Sequence, residues 1–304
     1  MTISRLDEQV RINEGVDPNA AIKLLADASR EAGNVLGRGS AAIALFNDYL
    51  GWAASQERLL ANAFPASEVR RLLTSQRSWT IQVMDPVAYG ATLTDLIALE
   101  LNERIGELQI AEEMLKREVA IWNVPSLDSS FPERLHAAVV DTNVLMRSKG
   151  AMPDLDWSAL TDTRRGQSIA IAIPAVVIEE LDTLKHANGK MEIDGESHDR
   201  KWLATLALGW LRRTFVSDFQ RVEVRPFSRG ESGPSSALYA VLMFESLHHR
   251  PLPKNDSEII DTALSVRPFA KSVTLVSYDL HMVFRTRHLG VRAIVPPEGD
   301  SSAA

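Results

Sequence analysis

Four acidic residues beyond residue 135 stand where a carboxylate could do chemistry. Asp141 directly follows the apolar run AAVV, and Asp279 directly follows the run VTLVSY. Glu180 and Asp256 lie in two helix-like segments, PAVVIEELDTLK and NDSEIIDTAL. Clustered carboxylates repel one another and raise one another's pKa unless a cation neutralises them. Since oxygen-only ligands favour Mg²⁺ or Mn²⁺, these residues predict a divalent-metal site.

Each of these acids, taken alone, also has a structural explanation. An aspartate after a strand, such as Asp141, can cap the helix that follows it. Asp256, as the N-cap or a first-turn residue, would stabilise its helix through the macrodipole. Glu180 alone is typical of a helix surface. The metal site is therefore predicted from the coincidence of all four acids and from no single one of them.

The chain beyond residue 134 alternates short β-branched runs with helix-like segments. This alternation predicts a largely parallel sheet covered by helices, in which sites form beyond the carboxyl ends of the strands. The predicted strands are His136–Val140, Ser168–Ile173, Arg221–Val224, Val273–Ser277 and Val291–Val295, and the predicted helices are 174–187, 198–215, 236–248, 256–267 and 280–288.

The first 122 residues have a different pattern, with apolar residues at helical spacing. Asp17-Pro18 is a helix start signal, Gly33 is expected to end that helix, and the longest helix is expected over 94–122, with Glu100 on a solvated acidic face. Residues 123–134 contain two prolines and three serines, which is typical of a linker. The predicted organisation is a helical domain (1–122), a linker (123–134), an α/β domain (135–296) and a disordered tail (297–304).

The segments VVDTNVL, PAVVIEELDTLK, NDSEIIDTAL and VTLVSYDLHMVFRTRHLGV resemble the PIN domain of the PIN-like nuclease superfamily over about residues 136–296. The resemblance implies an α/β PIN-like domain with a mainly parallel sheet flanked by helices, preceded here by an all-α domain. It implies that Asp141, Glu180, Asp256 and Asp279 are the catalytic, metal-binding acids and that Asn143 and Ser277 support the metal site. Segment 186–200 matches a variable, often flexible insertion of related domains.

Composition narrows the possible functions further. The chain has no cysteine and a net charge of −7, which excludes disulfide scaffolds, thiolate zinc sites, cysteine nucleophiles and a bulk nucleic-acid-coating polycation. The N-terminus lacks an apolar signal region, so a cytoplasmic location is expected. No G-x-S-x-G motif, glycine-rich turn after the first strand or GxxxxGK[ST] P-loop is present, and Asn143 replaces the second aspartate that a haloacid-dehalogenase phosphatase needs.

The favoured function is a divalent-metal-dependent endoribonuclease that uses Mg²⁺ or Mn²⁺, with RNA favoured over single-stranded DNA. Five basic residues adjoin the acidic motifs and are candidates for contact with nucleic-acid phosphates, namely Lys185, Arg200, Lys254, Arg285 and Arg287. The alternatives are a catalytically weak PIN-like module that binds nucleic acid or protein, and a nuclease that acts on DNA. The helical domain could bind a partner protein, and the chain could form a homo-oligomer.

Overall fold

The computed structural model describes residues 10–38, 41–125, 132–216, 220–230, 233–245 and 249–297. The chain divides between Val119 and Ala120 into two compact units. None of the helices in the described residues is both long enough and apolar enough to cross a membrane. The predicted tail falls mostly outside the described residues, as does the centre of the predicted linker.

The first unit is helical, as expected. The Asp17 side chain accepts a hydrogen bond from the Ala20 backbone N–H at 3.3 Å, and Pro18 occupies the first helical position. An aspartate cap followed by proline therefore fixes where the first helix begins. The helices are α1 (Pro18–Gly37), α2 (Ala42–Leu60), α3 (Ala66–Leu73), α4 (Gln76–Val83) and α5 (Gly90–Trp122).

Two details of the predicted helical unit were wrong. Helix α1 continues through Gly33 to Gly37, because the buried Ala32 and Val35 keep this part of the helix packed. Glu100 is not on a solvated face but fully buried, where it pairs with Arg104 at 3.2 Å and accepts a hydrogen bond from the Ser75 hydroxyl at 2.7 Å. An acid on a helix can be buried when such partners compensate its charge.

The second unit is built on a six-stranded sheet in the order β12-β11-β3-β4-β10-β7. All neighbouring strands run parallel except β7, which pairs antiparallel with β10. Every residue of β3 and β4 is buried, which explains their continuous apolar sequences. The strands of this sheet are β3 (His136–Val140), β4 (Ile169–Pro174), β7 (Arg221–Arg225), β10 (Leu238–Met243), β11 (Ser272–Val276) and β12 (Arg292–Ile294).

Helices connect the parallel strands, so that the carboxyl ends of β3, β4, β10 and β11 lie at one edge of the sheet. The sheet is therefore the mainly parallel, helix-flanked structure expected from the sequence. The helices are α6 (Thr142–Arg147), α7 (Trp157–Thr161), α8 (Ala175–Leu184), α9 (Arg200–Thr214), α10 (Asn255–Val266) and α11 (Leu280–His288).

Segment 236–248 was predicted to be a helix, and this was wrong for residues 236–245; residues 246–248 lie outside the described residues. Residues Leu238–Met243 form β10, which pairs with β4 on one side and β7 on the other. Its apolar run LYAVLM fits either structure by periodicity, and its position beside the buried β4 decides in favour of a strand. The predicted insertion contains the hairpin β5 (Lys190–Ile193) and β6 (Glu196–Asp199), and a second hairpin joins β8 (Ser228–Gly230) to β9 (Gly233–Ser235).

The two ends of the predicted linker are paired with each other. Strand β1 (Asn123–Val124) pairs antiparallel with β2 (Glu133–Arg134). Arg221 also donates hydrogen bonds to the backbone carbonyls of Ala120, Ile121 and Asn123 at 2.6–2.9 Å. The described ends of this segment therefore belong to the second unit.

Candidate active site

The candidate site lies at the carboxyl edge of the sheet, where β3 and β11 end side by side. Val140 and Val276 are register partners, and the next residue, Asp141, donates its backbone N–H to the Val276 carbonyl at 3.4 Å. This pairing brings Asp141 beside Ser277, although 136 positions separate them in the sequence. Asp141 and the Ser277–Asp279 segment therefore lie next to each other at the carboxyl ends of β3 and β11.

Asp141 is buried, with only 2% of its surface exposed. One carboxylate oxygen, Oδ1, caps α6 by accepting from the Val144 N–H at 2.8 Å, and Oδ2 accepts from the Ser277 hydroxyl at 2.5 Å. Burial raises the pKa of Asp141 from 3.8 to about 6, with the charges of Glu180 and Asp279 adding to the rise. The capping role that the sequence allows for Asp141 is therefore confirmed, and the same carboxylate is close enough to Glu180 and Asp279 to be affected by their charges.

Asp279 is connected to Asp141 by the Ser277 hydroxyl. Its backbone N–H donates to Ser277 Oγ at 3.0 Å, while its side chain caps α11 by accepting from the His281 N–H at 2.7 Å. Ser277 is fully buried, so its hydroxyl joins the backbone of one acid to the carboxylate of the other away from solvent. The structure places Ser277 in direct contact with both acids.

Glu180 is held by two neutral donors. The Thr142 hydroxyl donates to Oε2, and the Asn255 amide Nδ2 donates to Oε1 at 2.8 Å. Thr142 follows Asp141 directly, and Asn255 precedes Asp256 directly. Both oxygens of Glu180 are therefore tied to residues adjacent in sequence to another candidate acid.

Asp256 is half-buried in the first turn of α10, whose N-cap is Lys254. The more deeply buried acid of this segment is Glu258, at 6% exposure. It accepts a hydrogen bond from the Leu252 N–H, and His249 Nε2 lies 2.9 Å from its carboxylate. Glu258 thus holds the chain that leads into α10, whereas Asp256 is the acid adjacent to the Glu180 contact.

Three neutral side chains therefore bond to the carboxylates of Asp141 and Glu180 and connect them to the segments that contain Asp279 and Asp256, and we call these residues the acidic network. Ser277 links Asp279 to Asp141, Thr142 links the Asp141 segment to Glu180, and Asn255 links Glu180 to the Asp256 segment. Neutral donors orient the carboxylates without neutralising them, so the negative charge remains available to a cation. The acidic network consists of Asp141, Thr142, Glu180, Asn255, Asp256, Ser277 and Asp279.

A sequence profile of the PIN domain matches residues 138–295, which is more than half of the chain. The match includes every member of the acidic network. The chain belongs to the PIN domain family. No curated protein compared with the chain matches it.

The donor chemistry of this PIN domain fits a small divalent cation. All four acids offer hard oxygen ligands, which Mg²⁺ and Mn²⁺ prefer. The charges of Glu180 and Asp279 already disfavour ionisation of Asp141, and a cation would relieve this repulsion. Among the described residues, no three His, Asp or Glu side chains are close enough to bind one ion together. A cation at this site would therefore keep several water ligands, as Mg²⁺ commonly does.

A cleft of about 480 Å³ lies beside Glu180. It is lined by Asn143, by residues of the acidic network and by residues of α8. Most of the lining is polar and uncharged, with Glu179 and Glu180 as its two acids. Asn143 and Asn255 both present amide groups on this lining, so the cleft offers hydrogen-bond donors and acceptors beside Glu180. The lining residues are Thr142, Asn143, Glu179, Glu180, Thr183, Leu184 and Asn255.

The five predicted phosphate contacts are not equivalent in the structure. Lys185 forms an ion pair with Asp182, and Arg287 Nε donates to the Ala293 carbonyl at 2.9 Å. Arg285 donates to the Ser257 hydroxyl at 2.8 Å, next to Asp256. Lys254 is exposed at the N-cap of α10, and Arg200 is exposed at the start of α9. Of the five, Lys254 and Arg285 lie next to the Asp256 segment, Lys254 in sequence and Arg285 through its hydrogen bond to Ser257.

Sequence reasoning missed Arg147 and Tyr278 at this edge. The Arg147 guanidinium lies 4.2 Å from the centroid of the Tyr278 ring, and Tyr278 stands between Ser277 and Asp279. Within the described part of the chain, Arg147 Nε is buried without a hydrogen-bond partner. The one signal in the sequence is that Arg147 lies six residues after Asp141. Nothing in the sequence indicates that Arg147 contacts Tyr278.

Glu245 was also missed, because the segment that contains it was predicted as a helix. It follows β10 at the same carboxyl edge, and burial raises its pKa, with the charges of Glu258 and Glu179 adding to the rise. Negative charge at this edge therefore extends from Asp141 towards β10.

Proposed function

We propose that the chain is a divalent-metal-dependent endoribonuclease that hydrolyses phosphodiester bonds at the acidic network. The proposal rests on three hydrogen bonds. Ser277 donates to Asp141, and Thr142 and Asn255 donate to Glu180, so that the four acidic segments of the sequence are brought together. The PIN domain implies a nuclease-type fold, often metal-dependent.

In this proposal the carboxylates of Asp141, Glu180, Asp256 and Asp279 would hold the cation partly through its water ligands, because no three of the described acidic or histidine side chains lie close enough to bind one ion directly. Bound Mg²⁺ or Mn²⁺ would supply the positive charge and the activated water that attack on a phosphodiester needs. The side chains of the chain itself provide preorganisation. Ser277 and the Val144 N–H fix both oxygens of Asp141, and Thr142 and Asn255 fix both oxygens of Glu180.

The cations around the network would then bind the substrate backbone. Lys254 and Arg285 flank Asp256, and a guanidinium can contact two phosphate oxygens at once. Arg147 would contribute positive charge beside Tyr278. Asn143 and Asn255 in the cleft would hydrogen-bond to sugar or base groups of the substrate.

RNA is the proposed substrate, in keeping with the resemblance of ELDTLK and LVSYD to the PIN domains found beside PhoH ATPases and in eukaryotic RNA-decay endonucleases. The proposed location is the cytoplasm, and the helical unit is the proposed site for a partner protein. The test is to sequence the cleavage products from a mixed pool of RNA and single-stranded DNA incubated with Mn²⁺. RNA products alone would support the proposal, whereas DNA products alone would show a deoxyribonuclease.

A second candidate function is a PIN domain that binds nucleic acid without cutting it. One observation favours this function, namely that no three His, Asp or Glu side chains of the described chain converge closely enough to bind one ion. In the mixed-pool experiment this candidate predicts that both polymers remain intact while RNA is retained on the protein.

A further inference from the structure

Helix α11 exposes two large apolar side chains next to the acidic network. Leu280 is 59% exposed and Phe284 is 61% exposed, one helical turn apart at positions i and i+4. The residues that attach the helix to the sheet are instead Met282, Val283 and Thr286, which are buried. Folding of the unit therefore does not account for the presence of Phe284 on this face.

Two arginines, Arg285 and Arg287, lie close to Phe284 on α11. From Leu280 to His288 the helix contains no aspartate or glutamate, and its other exposed side chains include His281, Arg285, Arg287 and His288. An aromatic ring between cationic groups suits a polymer that carries both planar bases and negative phosphates. An apolar stripe only two residues long is small for a stable protein interface.

The same face is tied to the site at two points. Helix α11 begins directly at Asp279, whose side chain caps it. Six residues after Asp279, Arg285 donates a hydrogen bond to Ser257, the residue after Asp256. A strand lying along Phe284 and Arg285 would therefore run beside two of the four acids.

We propose that the exposed face of α11 binds single-stranded nucleic acid, with a base stacked on Phe284 and phosphates held by Arg285 and Arg287. This proposal rests on the proposed function and adds to it the surface that would hold the strand, with Phe284 as the residue that a base contacts. In a duplex the faces of the bases are stacked on one another, so the Phe284 ring would have no free base to contact.

Binding of a labelled single-stranded RNA and its duplex, measured by fluorescence anisotropy, tests the proposal. The full chain carries Asp141→Asn so that binding is measured without cleavage. Phe284→Ala is expected to weaken single-strand binding about 5- to 150-fold, the effect of one lost base–aromatic stack, and to leave duplex binding unchanged. Phe284→Tyr keeps the ring and should bind within about twofold of the parent.

Trp79→Ala is the matched control, because Trp79 is an equally exposed aromatic residue (62%) in the helical unit. Unchanged single-strand binding by Phe284→Ala, or an equal loss of duplex binding, would overturn the proposal. So would a dimer, seen by sedimentation, that Phe284→Ala dissociates, since the face would then join two copies. If the parent binds RNA but Phe284→Ala binds equally well, only this proposal fails. If the wild-type chain neither cuts nor binds RNA, the proposed function fails as well.

Discussion

Replacing Asp141 with asparagine should stabilise the metal-free protein at neutral pH. The folded state raises the pKa of Asp141 to about 6, mainly through burial, from the ordinary value of 3.8. Between these two pH values the folded state binds more protons than the unfolded state, so the free energy of unfolding falls as the pH rises. The ionised carboxylate is thus a cost to the fold above pH 6, and asparagine removes it.

The size of the effect follows from the pKa and from the hydrogen bonds. A rise from 3.8 to about 6 corresponds to about 3 kcal/mol at pH 7.5 and to less than about 1 kcal/mol at pH 4. Asparagine can still cap α6, but its amide nitrogen would face the Ser277 hydroxyl, which loses its acceptor at a cost of about 1 kcal/mol. The net expectation is about 2 kcal/mol of stabilisation at pH 7.5 and about none, or a slight loss, at pH 4.

Thermal unfolding in EDTA at the two pH values measures this difference, and about 2 kcal/mol corresponds to a rise of about 4–8 °C for a unit of this size. Asp156→Asn is the matched control, since Asp156 also caps a helix, α7, but is exposed. The control should change stability by less than about 0.5 kcal/mol at both pH values. The reasoning is refuted if Asp141→Asn is destabilising at pH 7.5, or if its effect is the same at pH 4.

Three further outcomes are expected. Mn²⁺ should raise the melting temperature of the wild-type chain but not that of the double variant Asp141→Asn/Asp279→Asn, because a cation that binds only the folded site stabilises it; an equal rise in both would place the ion elsewhere. Asn255→Asp replaces the amide that donates to Glu180 with a carboxylate that cannot donate and should slow cleavage at a fixed Mn²⁺ concentration, whereas Asn255→Gln keeps an amide and should be slowed less. Equal cleavage rates for wild type and Asn255→Asp would argue against the Glu180 contact. Arg285→Ala should weaken RNA binding and reduce the salt slope by about one, because one phosphate contact is lost; an unchanged slope would remove Arg285 from the interface.

The fold of the second unit could largely be predicted from the sequence, because parallel strands carry continuous apolar runs. The run HAAVV matches the residues of β3, and helix 280–288 was predicted with the bounds that α11 has. The run LYAVLM of β10 was taken for a helix, since its periodicity fits either structure and only its neighbour β4 decides. Helix α4 depends on a capping box at Ser75, a local contact that apolar spacing does not report.

The acids of the site were visible in the sequence, but the groups that connect them were not. Asp141 and Asp279 could be found because each directly follows a strand. Asn255 and Arg147 could not, because their partners Glu180 and Tyr278 are distant in sequence and come close only through the fold. The burial of Glu100 and the exposure of Trp202 likewise depend on packing between elements.

The central claim is that the acidic network cuts phosphodiester bonds, and the rate of cleavage of a labelled single-stranded RNA with Mn²⁺ tests it most directly. Purified wild type, Asp141→Asn and Asp156→Asn are compared after matched circular dichroism spectra show that all three are folded. We expect wild type and Asp156→Asn to cut at similar rates and Asp141→Asn to be slower by at least about 100-fold, because a charge is lost from the cation site. Equal cleavage by wild type and Asp141→Asn would contradict the claim.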